Sequence, residues 1–398
     1  MAGASITLRA FLREQYEKVF RRPWPVLTSA LVIASLNVFL FAFDRPWTAS
    51  DGIRNWGDWL SQSVGILKEP ELLSPFLHSG SVLNLGLLLG AFAAALLSRE
   101  FGIRTAPAAE LVKGALGGVM MGWGAVLSFG CNIGGFFSAL SALSLSGLAV
   151  MLGLGAGAFL GTRYLSWETR NMPPASSGDF QSPCEPPPQA TPSSASFGLQ
   201  PLIGLLVFFA LIGAGYIYRR LGHTPQATVL LFGVAFGVIL QRSRFCLVRA
   251  FREPFMSGES EHTRAAAVAL TLSMIGFSIL KATDLKDATE WVFPSFWLGA
   301  FLGGSLFGVG MVIAGGCGAG SIWRAAEGHI KLWVAVFFFA VGASMMRLFL
   351  VRTELLRELG SALFLPSLLG WTGAVWSVAA LMAVWYLLAG WNEQRRRP

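Results

Sequence analysis

From Gly114 to Thr162 the chain runs for 49 residues without a formal charge. A run of this kind belongs in lipid, where one helical span takes about 20 mostly apolar residues. Overall composition agrees. The 398 residues are 54% hydrophobic and 13% charged, against about 25% charged in a soluble domain, which excludes a soluble enzyme. Yet Gly130-Cys131-Asn132-Ile133-Gly134-Gly135 interrupts the run with a turn signal. Irregular backbone at membrane depth survives only if buried in protein or lining a cavity. The reading is therefore two half-helices meeting at Cys131.

Nine apolar stretches are read as spans, beginning with Pro25–Phe43 and continuing at about 76–97, 147–165, 201–218, 227–240, 265–280, 296–314, 332–350 and 371–389. The fold class expected is an all-α integral membrane protein with about nine transmembrane helices plus re-entrant half-helices. Arg9, Arg13, Lys18, Arg21 and Arg22 precede the first span, and Arg395-Arg396-Arg397 follow the last, so both termini are placed in the cytoplasm. Trp47, Trp56 and Trp59 point to an amphipathic stretch at the outer interface. Residues 169–199 hold seven of the 19 prolines and little charge, and read as a linker. The organisation is a cytoplasmic segment 1–24, a first transmembrane half 25–168, the linker, a second half 200–390 and a basic cytoplasmic tail 391–398. Net charge is +8; cytoplasmic loops facing anionic lipid account for most of it, and no basic patch free of the membrane supports nucleic-acid binding.

The halves repeat. Gly117, Gly118, Gly122, Gly124, Gly130 and Cys131 match Gly303, Gly304, Gly308, Gly310, Gly316 and Cys317 at one offset of 186. A weaker match at 144 pairs Ala91-Phe92, Leu96 and Phe101 with Ala235-Phe236, Leu240 and Phe245, and there Gly102 faces Cys246. The offsets differ because the second half holds an additional helix around 265–280. Gly-interrupted apolar segments at matching places in two halves mark a transporter whose site lies at the repeat interface. Glycines 153, 157 and 161 read as helix packing, whereas packing alone does not require a cysteine in both corners.

Four cysteines without a C-x-x-C pair make neither a disulfide framework nor a zinc site. Cys184, in the linker, is given no role. A broken helix presents free N–H groups and a positive dipole, so Gly130, Asn132, Gly134, Gly316 and Gly318 read as an anion-binding backbone. Thiols at Cys131, Cys246 and Cys317 add soft, weak S–H contacts suited to sulfur or selenium. Cys246 lies among Arg242, Arg244, Arg249 and Arg252, either a positive-inside loop or a guanidinium-lined vestibule that gathers an oxyanion. Arg324 and Glu327 stand at i and i+3, a pairing distance on a helix. His329 reads as interfacial.

The segments GCNIGG at 130–135, RSRFCLVRAF at 242–251 and GGCGAGSIWRAAEG at 315–328 together resemble the YeeE/YedE family of sulfur-compound transporters. That resemblance implies a bacterial inner-membrane protein for thiosulfate uptake, shaped as an hourglass of two pseudo-symmetric repeats, with Cys131, Cys246 and Cys317 passing the ion along. It also implies a small sulfur-relay partner of the TusA/rhodanese-like type, and it leaves thiosulfate and selenium species open as substrates. The chain departs from simpler members in its long first span, its Trp-rich stretch and its linker. Three other classes compete. Soft-metal transport is opposed by helix N-termini and by the absence of a paired His or Met. A membrane thiol oxidoreductase or sulfurtransferase acting through Cys246 lacks a resolving cysteine and a quinone or nucleotide signature. A scaffold role leaves the duplicated cysteines unexplained. No cofactor is called for, and no ATP-binding motif is present.

Overall fold

The computed structural model describes residues 11, 14–67, 71–171, 199–355 and 360–396. In chain order its helices are α1 (Val26–Phe43), α2 (Ser50–Ser63), α3 (Ser79–Ser98), α4 (Ala108–Leu127), a wide-turn π-helix (Asn132–Ser138) continued by Ala139–Ser141, α5 (Leu145–Asn171), α6 (Leu199–Arg220), α7 (Thr224–Ser243), α8 (Leu247–Arg252), α9 (Glu261–Ala282), α10 (Leu298–Ala314), α11 (Gly318–Ala326), α12 (Ile330–Arg352) and α13 (Leu365–Arg396), the last broken at Gly370. No strand forms among the described residues beyond isolated bridges. Helices are what an apolar medium demands, since every backbone polar group must be satisfied within its own segment. Cys184 and nearly all of the expected linker fall outside the described residues; its edges, 169–171 and 199, belong to α5 and α6.

Among the described residues ten stretches are long and apolar enough to cross a membrane. Nine match the sequence reading; the tenth contains α4. Instead of a half-helix before Cys131, α4 is a full helix of 20 residues. It starts ahead of the charge-free run because its first turns carry paired charges. Glu110 and Lys113 contact each other, Lys113 reaches Glu168 at 2.9 Å, and Lys331 reaches Glu110 at 2.7 Å. The half-helices are the short arms that follow each corner. Ten crossings return the chain to the end of the bundle where α1 begins. Trp24 N–H donates to the Arg242 carbonyl at 3.0 Å, and Asn392 Nδ2 to that of Pro254 at 2.7 Å, so α1 and α13 meet one connecting segment. Burial separates centre from rim: 72% of the α3 span is buried, against 17% for α6 and 22% for α13.

Glycines set how the repeats meet. A Cβ on Gly117 would lie 2.6 Å from the Gly310 carbonyl oxygen, and one on Gly124 2.5 Å from that of Gly303. The α4 and α10 backbones are therefore in contact and run antiparallel. Partners are exchanged symmetrically. Gly118 and Gly122 pack α4 parallel to α12 at Ala335 and Phe339, while Gly153 and Gly157 pack α5 parallel to α10 at Phe301 and Ser305. By contrast α3 and α7 run parallel, with Gly233 on Leu83 and Gly237 on Leu87. The extra crossing α9 reconciles the two relations. One additional span between α7 and α10 turns α10 over relative to α4, so the 186-residue repeat is inverted while the 144-residue match is not.

Candidate functional site

All three cysteines of the described chain are built into the same local design. α4 ends, Phe129 turns the backbone left-handed at φ +58°, and two residues later Cys131 caps the π-helix in extended conformation (φ −75°, ψ −174°). α10 ends at Gly315 with φ +81°, and two residues later Cys317 caps α11 (φ −86°, ψ −172°). α7 ends at Arg244 with φ +55°, and two residues later Cys246 caps α8. Glycine takes the left-handed region freely; Phe129 and Arg244 adopt it at a steric cost. The two repeat cysteines share nearly the same backbone angles.

These caps converge. Cys246 and Cys317, each 3% exposed, wall a cavity of about 20 Å³ together with Trp47, Ile133, Phe245 and Trp323. Cys131 is fully buried beside it; its thiol lies 3.9 Å from Thr48 Oγ1, and its N–H donates to Ser50 Oγ at 3.1 Å. Cys317 is within electrostatic reach of both other thiols, and the Asn132 amide faces it. A cavity of this volume admits about one water-sized group. An ion the size of thiosulfate passes only when the walls separate.

The segment Trp47–Ser50, expected at the outer interface, instead sits in the middle of the site. Trp47 is 3% exposed and stacks on Phe236 at 4.3 Å and 9°. Asn37 Oδ1 accepts from the Trp47 N–H at 2.7 Å, Ser138 Oγ donates to the Trp47 carbonyl at 2.8 Å, and Asn84 Nδ2 donates to that of Ala49 at 2.8 Å. α2 reads as amphipathic in sequence, but it packs against α3 and α12, and Gly57 lies against the Ala340 backbone. The run Trp47-Thr48-Ala49-Ser50 just after a span was the available signal.

Of the remaining expected site residues, the glycines shape the corners. A Cβ on Gly130 would meet Gly135 N at 2.4 Å, one on Gly134 would meet Thr48 Oγ1 at 2.4 Å, one on Gly316 would meet Ser321 Oγ at 2.8 Å, and Gly318 has 3.4 Å to its nearest neighbour. The arginines do not line an open vestibule. Arg242, 2% exposed, lies 3.4 Å from Glu100 and donates to the Arg22 carbonyl. Arg244 lies 3.1 Å from Glu100 and 3.7 Å from Glu327, and Gln241 Nε2 donates to both carboxylates. Glu327 also has Arg104 at 3.9 Å, while Arg324 donates to the Gly315 carbonyl at 2.9 Å, tying α11 to its own corner. Burial raises the Glu327 carboxyl above its ordinary value, with Glu100 adding to this and Arg244 and Arg104 opposing it. His329 takes Arg104 Nη1 at 2.8 Å, and burial first, then Arg104, lowers its imidazole to about 3. Glu100 is the partner that sequence reasoning missed, since it stands 142 and 144 positions from the arginines it meets. Among the described residues no group of three His, Cys, Asp or Glu is placed to hold a metal ion.

Comparison with known proteins agrees with a duplicated membrane transporter. The chain is 25% identical over 333 residues to the probable transporter YedE of Escherichia coli, covering 81% of this chain and 80% of that one. Its Salmonella typhimurium counterpart is 26% identical over 334 residues, with the same coverage. The thiosulfate transporter TsuA of Escherichia coli is 36% identical over 118 residues, 30% of this chain and 33% of that one. The family model described as sulphur transport matches residues 6–160 and 242–398, one match on each half. The chain therefore belongs to this sulphur transport family, YeeE/YedE, as a multi-pass membrane protein.

Proposed function

We propose that the chain carries thiosulfate, or a closely related sulfur- or selenium-containing anion, across the bacterial inner membrane through the centre of the fold. Cys131, Cys246 and Cys317 hand the ion along through weak S–H contacts without forming a bond to it. The observation that carries this reading is that three cysteines, each the N-terminal cap of a short helix, come together, Cys246 and Cys317 on the wall of one buried cavity between the repeats and Cys131 within electrostatic reach of Cys317. Caps of this kind bring backbone N–H groups toward an anion, and thiols supply contacts to a soft sulfur atom. One relative's name, thiosulfate transporter, supports the choice of anion.

The end of the bundle that carries Arg21, Arg22, Arg163, Arg170, Arg249 and Arg395 is assigned to the cytoplasm by the positive-inside rule, which places the start of α1 and the end of α13 there. Arg242, Arg244, Arg324 and Glu327 then stand between the cavity and the cytoplasm, where the ion leaves. With no ATP-binding motif in the sequence, net uptake is drawn by a gradient or by consumption, for which a TusA/rhodanese-like relay protein is suited. The test is growth of a host lacking other thiosulfate uptake on thiosulfate as sole sulfur source. Cys131→Ala, Cys246→Ala and Cys317→Ala are each expected to abolish growth while folded protein remains in the membrane. Normal growth of all three variants overturns the reading.

A further inference from the structure

Two buried indole N–H donors near the cavity, Trp47 Nε1 and Trp323 Nε1, have no hydrogen-bond partner within the protein, and beside them lies the Asn132 amide, turned to the Cys317 thiol. The three residues are 3%, 1% and 0% exposed. Trp47 and Trp323 wall the cavity beside Cys246 and Cys317. Buried polar groups in folded proteins are almost always paired, and each one left unpaired costs about 1–3 kcal/mol. Two such indoles on the wall of one cavity of about 20 Å³ amount to a cost that a ligand rich in acceptors removes. An indole can only donate, so the preference has a sign: the two rings select acceptors.

The repeat sharpens this. At the 186-residue offset Asn132 corresponds to Gly318 and Trp323 to Phe137, and Trp47 precedes the residues matched at either offset. The thiols at Cys131 and Cys317 are duplicated, whereas each of these three N–H-bearing side chains occurs once. A duplicated backbone thus carries an unduplicated set of N–H groups, as required by an ion whose two ends differ.

We propose that Trp47, Trp323 and Asn132 form a cradle for the sulfonate oxygens of the transported anion, while the thiols of Cys246 and Cys317 face its terminal sulfur. This rests on the thiosulfate reading above and adds to it the recognition of the oxygen end. The cradle makes selection two-sided, since an ion must present oxygen acceptors to the indoles and a soft atom to the thiols.

The experiment is uptake of radiolabelled thiosulfate into proteoliposomes containing the full chain or its Trp47→Phe, Trp323→Phe or Asn132→Leu variant. The phenylalanine changes keep a ring in place and delete the donor. With a hydrogen bond to an anion removed, the half-saturating concentration is expected to rise about tenfold or more for each variant. Size-exclusion profile and thermal midpoint identify a variant that fails to fold, and the two Trp→Phe changes decide the matter if Asn132→Leu does not fold. Half-saturation unchanged in both folded Trp→Phe variants, whatever happens to maximal rate, overturns the cradle. Absence of thiosulfate uptake by the unaltered protein overturns instead the reading on which the cradle rests.

Discussion

At Cys131 the chain turns on a phenylalanine and continues as a π-helix, whereas at Cys317 it turns on Gly315 and continues as a regular α-helix. The first corner is closed over by a third element. Thr48 and Ser50 meet Cys131, and Gly134 lies directly under Thr48. The second corner satisfies itself: Cys317 Sγ accepts from Gly320 N–H at 3.4 Å, and Arg324 holds the Gly315 carbonyl. One ancestral bend has therefore been kept as backbone geometry while its surroundings diverged. The corner packed against Trp47–Ser50 brings Trp47 and Asn132 to the site, and the self-contained one presents its thiol and Trp323 to the cavity.

Four substitutions break or sharpen this contrast. The largest effect is expected for Gly134→Ala, because its Cβ would lie 2.4 Å from Thr48 Oγ1 and 2.7 Å from Thr48 Cβ. Overpacking of that kind costs about 1–3 kcal/mol, and displacing Thr48 is expected to lower thiosulfate uptake at least tenfold. A wild-type thermal midpoint and uptake rate would show that the first corner is not held by its neighbour. Ser50→Ala comes next. It leaves the buried Cys131 N–H without its acceptor, a loss of about 1–2 kcal/mol measurable by denaturation in detergent, and no change there contradicts the assigned bond.

A smaller effect follows from pH. Burial alone would raise the Asp51 carboxyl, but Arg45, followed by His78 and Arg54, outweighs it and holds the group below its ordinary value. The folded form therefore keeps the charge longer than the unfolded chain does. The resulting stabilisation is fully present above the unfolded value of about 3.9 and is lost as pH falls through the lowered folded value. Thermal midpoints are expected to drop below about pH 4, and Asp51→Asn to drop less steeply; equal slopes contradict the assignment. The smallest effect belongs to Gly318→Ala. Its Cβ would have 3.4 Å to Phe339 and 3.5 Å to Ala49, ordinary contact distances, so midpoint and uptake are expected within about twofold of the unaltered protein. A severe loss at Gly318 would erase the asymmetry between the corners.

Much of this architecture is readable from residue order, for reasons the structure makes plain. Apolar runs such as Leu199–Arg220 and Ile330–Arg352 are helices because lipid leaves the backbone no other partner. The corners at Cys131 and Cys317 were visible because tight backbone contacts, as at Gly130 and Gly316, and the left-handed turn at Gly315 leave glycines behind, and duplication printed the Gly-Cys pair twice. Other features escape local reading. The start of α4 is hidden because Glu110 and Lys113 are neutralised by Glu168 and Lys331 from other helices. Trp47 looks interfacial because its burial depends on Asn37, Ser138 and Phe236. Arg242 and Arg244 look free for an anion until Glu100 and Glu327 are brought beside them by folding. What the pattern misses in each case is a partner supplied by another helix.

The central claim, that the ion passes the cysteines where the repeats meet, is tested most directly by radiolabelled thiosulfate uptake into proteoliposomes. Unaltered protein is compared with Cys131→Ala, Cys246→Ala and Cys317→Ala reconstituted in equal folded amounts. Uptake by the unaltered protein with background levels in each variant is the expected result. Uptake at the full rate after removal of Cys246 and Cys317, the two thiols that wall the cavity, would contradict it.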